Sequence, residues 1–400
     1  MNFPASGVSS ASIKKALKQF EIDSKLDPSG LSKQLCASYS LTGLKDLRML
    51  NSEVMSEFLE SNRLIDHEAG LIEMERQVLS MIGSLLRAKP NTGIFTAGGT
   101  ESNILALLAA RNLAGRRGDV VLPSNAHPSF FKGCDLLGLR PVKVEVDKST
   151  FKADPQKIDR AITRDTIAVI ATAGSWPMGV IDPLKEIGEI AEKRSLYYHI
   201  DAAWGGLICP WLRMAGYSMP DIGFRIPGVF SISVDPHKQG FSILPSGSIT
   251  FSENKLRNLA GWEITEAGFS YRTLGIWGSR PGFSIAATWA VFNYLGQEGY
   301  VELSKKCYDL TMKLIEDSQQ ISGILFPVVP SINLTTMVSN KLDMNLIKKR
   351  LKTKGWMFFE SSGEPFSFKN GIILAVFPYH EKVFPEFLKD LRLAAKAVDR

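Results

Sequence analysis

Between about residue 90 and residue 250 the chain alternates short β-branched runs with segments of helix length, and no other feature restricts its fold as much. That alternation is the pattern of a parallel sheet covered by helices on both sides. Strand candidates fall at 120–122, 142–146, 167–172, 196–200, 229–234 and 248–251. Two helix starts are marked by Asp followed by Pro: Asp154-Pro155 before 156–162, and Asp182-Pro183 before 184–194. In each, the Asp is placed to cap and the Pro is pre-set for the first helical turn.

The rest of the chain is arranged around this block. Residues 1–60, including the helical stretch 12–20, have no evident core of their own and read as an N-terminal arm that packs on something else. Residues 61–295 form the expected large domain, ending in a buried helix at 284–295. Residues 296–400 alternate helix and strand-like segments, as a small C-terminal α+β domain does. With 400 residues, 44% hydrophobic and 22% charged, there is apolar surface for one large core and a second smaller one. The longest apolar stretch, 104–110, falls far short of the roughly 18–20 residues that span a bilayer. The first residues show no basic cluster followed by an apolar block. No membrane association and a cytoplasmic location are therefore expected. Cys36, Cys134, Cys209 and Cys307 are scattered with no C-x-x-C pair, which argues against a zinc knot or a disulfide framework. The net charge of +6 comes as short runs such as Lys348-Lys349-Arg350 on helix faces, so nucleic acid is not an expected partner.

Four places carry chemistry. Ser233-Val234-Asp235-Pro236-His237-Lys238 ends a β-run and delivers His and Lys together at the strand's edge, where open α/β sheets place ligands. A lone Lys after a strand is ordinarily a surface residue; its company changes the reading. The strand 196–200 ends in Asp201-Ala202-Ala203-Trp204-Gly205-Gly206, which sets a carboxylate at the same edge with an apolar approach. A buried carboxylate needs a partner, because its desolvation is costly. A protonated pyridine nitrogen is one such partner, and a structural cap is an equal reading of Asp201 taken alone. Thr96-Ala97-Gly98-Gly99-Thr100-Glu101-Ser102-Asn103 stands directly before an apolar helix, 104–114, closed by Gly115. Glycines at a helix N-terminus expose N–H groups where the dipole is positive, so a phosphate fits there, and Thr100 can add a hydroxyl. A plain cap is the alternative, and the run is neither a Walker loop nor G-x-G-x-x-G. Last, His127 in Asn125-Ala126-His127-Pro128 follows the strand that ends at Leu122, where an imidazole can lie on an aromatic ring or simply cap. His199 lies within the Asp201 strand.

Gly-Gly-Thr before a helix, a His after the next strand, Asp-Ala-Ala-x-Gly-Gly and Asp-Pro-His-Lys stand in the order seen in group II pyridoxal phosphate decarboxylases, which the chain resembles over roughly residues 65–400. Residues 233–251, 171–183 and 295–300 resemble the archaeal L-tyrosine/L-aspartate decarboxylases nearly throughout. Sphingosine-phosphate lyases and glutamate decarboxylases share the same elements more distantly. The resemblance implies an α/β fold of the fold type I transferase-like kind, whose large domain binds pyridoxal 5'-phosphate as a Schiff base on Lys238. It implies that His127 stacks on the cofactor ring, Asp201 pairs with the pyridine nitrogen, Gly99, Thr100 and His237 grip the phosphate, and Ala203 packs beneath the ring. It further implies decarboxylation of an amino acid, aspartate to β-alanine or tyrosine to tyramine, with Cα–Cβ cleavage of the sphingosine-phosphate lyase type as the runner-up.

The Gly- and aromatic-rich segment 266–281 corresponds to a mobile loop in such enzymes. It makes Tyr271 a candidate proton donor alongside Lys238 and His127, and Arg280 a structural or substrate anchor. Such loops often reach the neighbouring subunit's site, which implies a homodimer with active sites near the interface. The chain departs from the family pattern at Ser279-Arg280-Pro281-Gly282, in place of Thr-Arg-Ser-Gly. It departs again at 62–71, in place of a Gly-Asp-Pro-Gly-Leu-Phe-type stretch, and near Lys369, where an arginine is common. Those departures lie on the substrate side, so tyrosine and aspartate both stay open.

Overall fold

A strand that is apolar at successive positions, such as Ile167-Ala168-Val169-Ile170-Ala171, has to be covered on both faces. The structure, a computed structural model, describes residues 9–23, 33–35, 44–63, 68–264, 271–361 and 370–398. Its main sheet has seven strands: β1 (Gly93–Thr96), β2 (Asp119–Pro123), β3 (Arg140–Val144), β4 (Thr166–Thr172), β5 (Tyr197–Asp201), β6 (Val229–Val234) and β7 (Gly247–Phe251). Their spatial order is β1-β7-β6-β5-β4-β2-β3. The pairs β2/β3, β2/β4, β4/β5 and β5/β6 are parallel, and β7 is antiparallel to both β6 and β1, so β7 alone runs against the rest.

Alternate residues of β4 feed two different cores. Ala168 and Ile170 join the apolar cluster under the helices Gly99–Ala114, Ser129–Leu137 and Asn254–Leu259. Val169 and Ala171 join the larger cluster under Ala69–Leu86, Pro155–Ala161, Leu184–Lys193, Cys209–Met214 and the start of Gly282–Gln319. This is the α/β architecture expected from the sequence, and all six strand candidates are present to within two residues at each end. The strand β1 has no counterpart among them, because four residues ending in a glycine turn carry too little periodic signal; only its pairing with β7 reveals it.

A two-stranded ribbon of β8 (Trp262–Ile264) and β9 (Tyr271–Thr273) lies between the main sheet and the long helix Gly282–Gln319 in the sequence. That helix is interrupted at Gly296 (φ 57°, ψ −169°), where the expected junction between large and small domains falls. A second, antiparallel sheet follows in the order β10 (Ile324–Leu325), β11 (Leu334–Ser339), β13 (Gly371–Ala375), β12 (Phe359–Ser361), with helices Met344–Thr353 and Phe384–Val398 packed on it. Towards the N-terminus, the helix Ser10–Asp23 leaves Ile13, Leu17 and Phe20 in solvent on one face, the stripe of a helix with no core of its own. Among the described residues no helix is long and apolar enough to cross a membrane, and no His, Cys, Asp and Glu group could hold a metal.

Two local expectations need correction. The apolar helix begins at Gly99, not 104, so Thr100 to Asn103 form its first turns. And of the two Asp-Pro pairs only the first is a cap: Asp154 accepts from the N–H groups of Gln156 and Lys157, whereas the carboxylate of Asp182 accepts from Ala153 N and Thr172 N, each at 2.8 Å. The reason is the return of the chain after β4, where Ala173 bridges Ile181 and Asp182 N donates to Thr172 O. Asp182 therefore faces the strand end, not its own helix.

Burial raises the Asp182 carboxyl from 3.8 to about 6. The folded state then holds this proton more tightly than the unfolded chain, so the contribution of Asp182 to stability is greatest below pH 4 and is lost as pH rises through about 6. Relative to Asp182→Asn, which cannot ionise, the parent should lose on the order of 2–3 kcal/mol between pH 4 and pH 7. Urea unfolding of both proteins at the two pH values measures this, and a pH-independent difference would count against a raised carboxyl here.

Candidate active site

Because six strands share a direction, their carboxyl ends open on one edge of the sheet, and the four sequence motifs all stand there. The strand β1 runs into Ala97-Gly98-Gly99, β2 is followed by His127, β5 ends on Asp201, and β6 is followed by Asp235 to Lys238. A methyl group on Gly98 would lie 2.7 Å from His237 Cε1, and one on Gly99 would lie 2.9 Å from Asp235 Oδ2 and 3.1 Å from Ala203 Cβ. Gly98 also sits at φ 149°, which L side chains rarely adopt. Only glycines let the turn close on the other two motifs. The helix Gly99–Ala114 starts at this contact, and its first N–H groups have no acceptor inside the helix. With the positive end of the helix dipole beside them and the exposed Thr100 next in line, they form an anion cradle.

Lys238 projects into the same place. Its Nζ is 2.8 Å from Asp235 Oδ2 and 5.9 Å from the centre of the Trp204 ring. Asp235 is fully buried, so the lysine ammonium is its charge partner. His237 Nε2 lies 3.6 Å from the same oxygen, and its Nδ1 accepts from Ser246 N at 3.3 Å. Burial lowers the His237 pKa, with the Asp235 charge opposing and the Lys238 charge adding to the shift.

Asp201 is held from three sides. Asn103 Nδ2 donates to its Oδ2 at 2.9 Å, Ala203 N donates to its Oδ1 at 3.1 Å, and Ser233 Oγ lies 3.4 Å from Oδ1. Behind it, His199 bonds Asn103 through Nε2 at 3.1 Å and Ser231 through Nδ1 at 2.8 Å. Thr172, the β4 residue in register with Asp201, is buried with its hydroxyl unbonded. His127 Nδ1 pairs with Ser129 Oγ at 2.8 Å. Burial lowers the His127 pKa, while Asp201 opposes, Lys238 adds and Asp235 opposes, so the ring feels all three charges. Sequence reasoning assigns no role to Asn103, Ser129, Ser231, Ser233 or Asp235. The one available signal is Ser231 and Ser233, two polar residues two apart on a central strand that is otherwise apolar.

The loop residues divide differently. The backbone of Tyr271 pairs with Ile264 in the ribbon, and its side chain lies outside the described part of the structure, as do residue 369 and residues 64–67 of the divergent stretches. Arg280 Nη1 donates to Glu75 Oε1 at 2.8 Å and to Phe95 O at 2.9 Å, and Arg63 pairs with the other Glu75 oxygen. Glu101 ties the same loop to the cradle, accepting from Ile276 N at 2.8 Å and from Ala97 N at 2.7 Å. Arg280→Ala would leave the buried Glu75 with one arginine and should destabilise the fold by about 2 kcal/mol in urea unfolding. Unchanged stability with a tenfold or greater rise in KM would instead identify Arg280 as a substrate anchor.

An amine beside an anion cradle, a fixed carboxylate, an imidazole and an unsatisfied hydroxyl are the groups that an aldehyde-bearing pyridine phosphate requires, so the residues present fit pyridoxal phosphate. The model of the pyridoxal-dependent decarboxylase conserved domain matches residues 36–334. A probable L-tyrosine/L-aspartate decarboxylase of Methanothermobacter thermautotrophicus is 36% identical, over 79% of this chain and 87% of its own. The L-aspartate decarboxylase of Thermococcus kodakarensis is 34% identical, over 82% and 83%. Sphingosine-1-phosphate lyase 1 of Rattus norvegicus is 32% identical, over 97% of this chain and 68% of its own. Among solved structures, the sphingosine-1-phosphate lyase of Burkholderia pseudomallei matches with a TM-score of 0.92 at 25% identity, over 100% of this chain and 93% of that one. The glutamate decarboxylase of Lactobacillus brevis shares the fold, with a TM-score of 0.87 at 18% identity over 100% and 95%.

Proposed function

The chain belongs to the pyridoxal-dependent decarboxylase family, and from that premise we propose that it releases the α-carboxylate of L-aspartate or L-tyrosine as CO2, giving β-alanine or tyramine. It is a pyridoxal phosphate-dependent carboxy-lyase acting on amino acids. The observation that carries the reading is the Lys238 amine, held on Asp235 where the Gly98-Gly99 turn and the Asp201 strand meet.

Bound pyridoxal phosphate supplies an electron sink for the pair left on the α-carbon when CO2 departs. The residues around it divide the remaining work. The N–H groups at Gly99 and Thr100, the Thr100 hydroxyl and His237 would hold the phosphate. Asp201, its carboxylate oriented by Asn103 Nδ2 and Ala203 N, would hold a proton on the ring nitrogen. Ala203, against Gly99, is small enough to leave a flat floor. Lys238 would hold the cofactor's aldehyde carbon through its amine, and its Nζ would be the nearest group of this chain able to move a proton there. His127, which would lie over the ring, and Tyr271 are the other candidates to return a proton to the α-carbon. We further propose a cytoplasmic homodimer, in which the segment 266–281 serves a site near the interface.

Cleavage of a Cα–Cβ bond is the second reading, and the match to two sphingosine-1-phosphate lyases over nearly the whole chain favours it specifically. One assay separates the two. Purified protein supplied with pyridoxal phosphate is given a panel of amino acids and a phosphorylated long-chain amino alcohol, and CO2 and aldehyde are measured together. CO2 from aspartate or tyrosine without aldehyde supports the proposal. Aldehyde without CO2 from any amino acid replaces it with the lyase.

A further inference from the structure

Asn103 is fully buried and satisfied at both ends of its amide. A carboxylate can only accept, so the atom 2.9 Å from Asp201 Oδ2 is the amide nitrogen, and its second hydrogen goes to Ser129 Oγ at 3.0 Å. The Ser129 hydroxyl, accepting there, gives its own hydrogen to His127 Nδ1 at 2.8 Å, and Ser129 N–H points at the same nitrogen from 3.2 Å. A ring nitrogen approached by two donors is bare, so neutral His127 carries its proton on Nε2. The other end of Asn103 accepts from Ser233 Oγ at 3.0 Å and from His199 Nε2 at 3.1 Å. His199 Nδ1 then accepts from Ser231 Oγ, which in turn accepts from Tyr197 Oη, both at 2.8 Å. Burial keeps both imidazoles neutral, lowering His127 and bringing His199 down to about 4.

We infer that Asn103 is a positioning residue, joining the two groups that would flank the cofactor ring: it orients the Asp201 carboxylate and aims the Ser129 hydroxyl at His127 Nδ1, where with Ser129 N–H it holds the His127 proton on Nε2. Only an amide serves here, because the residue has to donate to a carboxylate on one side and accept from an imidazole on the other. The hydrogen-bond web is a feature of the fold itself, while its consequence for cofactor binding rests on the reading of the site given above. Asp201 is thereby kept an acceptor facing the site, and the proton His127 can offer lies on the nitrogen turned away from Ser129.

The test is a multiple-bond proton–nitrogen NMR correlation on the full chain labelled with ring-15N histidine, of which there are five, with His127→Gln assigning the relevant ring. At neutral pH His127 should give the pattern of the Nε2–H tautomer. In Asn103→Asp the Ser129 hydroxyl turns to the new carboxylate and leaves only the longer Ser129 N–H contact on Nδ1, so the His127 Nδ1 resonance should move measurably towards that of an unbonded ring nitrogen while pyridoxal phosphate affinity falls on the order of tenfold or more. A His127 signal of the Nδ1–H or doubly protonated type in the parent overturns the inference, whatever the variant does. So does an unchanged His127 Nδ1 resonance in a folded Asn103→Asp. A parent chain that binds no pyridoxal phosphate at all would overturn the proposed function and leave the tautomer result standing, so the two failures are distinguishable.

Discussion

Lys238→Ala is expected to lose the borohydride-fixable absorption of a protein-bound pyridoxal group and to lower CO2 release by on the order of 10⁴-fold or more, since the covalent step has no substitute amine. The same change has a structural cost that a surface lysine would not show. Asp235 is 1% exposed, its Oδ2 lies 2.8 Å from Lys238 Nζ, and the nearby His237 is kept neutral by burial. Removing the ammonium strands a buried carboxylate, which costs about 3–5 kcal/mol for a fully enclosed pair. Lys238 is partly open to solvent, so about 2 kcal/mol is the expected loss here. Asp235→Asn in the Lys238→Ala background removes the stranded charge and should restore most of that stability while restoring none of the activity. Urea unfolding of the parent, both singles and the double closes the cycle. If Lys238→Ala proves as stable as the parent, Asp235 does not depend on the lysine, and the salt bridge is incidental.

What could be read in advance and what could not follow from the kind of interaction each residue makes. The strands β2 and β4 to β7 were legible because they are buried on both faces, while β3, at the sheet's edge and half exposed, showed only its alternating valines. Lys238, Asp201 and the glycine pair stood out because charge or backbone freedom at the end of such a run has few structural uses. Asn103 did not stand out: its partners Asp201, His199 and Ser233 lie 96 to 130 residues away, and an Asn in the first turns of a helix is locally ordinary. Asp154 and Asp182 make the same point in reverse. Both precede proline, yet only the first caps, because the end of β4 offers Asp182 two competing N–H groups. Arg280 was visible as an anchor, but Glu75, the partner it holds, lies on a distant helix.

Asp201→Asn should lower decarboxylation by on the order of 10³-fold, because an amide cannot hold the positive ring nitrogen on which the electron sink depends. It should also disturb the web behind it. The new amide can keep its oxygen towards Ala203 N, but it then points its nitrogen at Asn103 Nδ2, donor against donor. Turning Asn103 over would relieve that contact only by breaking the bond from His199 Nε2. Either way a buried polar group is left unpaired, which costs about 1–3 kcal/mol. The exchange Asp201→Asn with Asn103→Asp separates the two effects. It restores donor against acceptor at the 103–201 contact and gives His199 an acceptor again, so stability should recover by at least half of the loss. The negative charge now sits one side chain farther from the site, so activity should stay near that of Asp201→Asn. Recovery of activity together with stability would mean that the total charge of the web matters and its position on Asp201 does not. Recovery of neither would mean that the web is too tightly packed to tolerate the swap, and that Asp201 and Asn103 are matched to their places by shape as well as by charge.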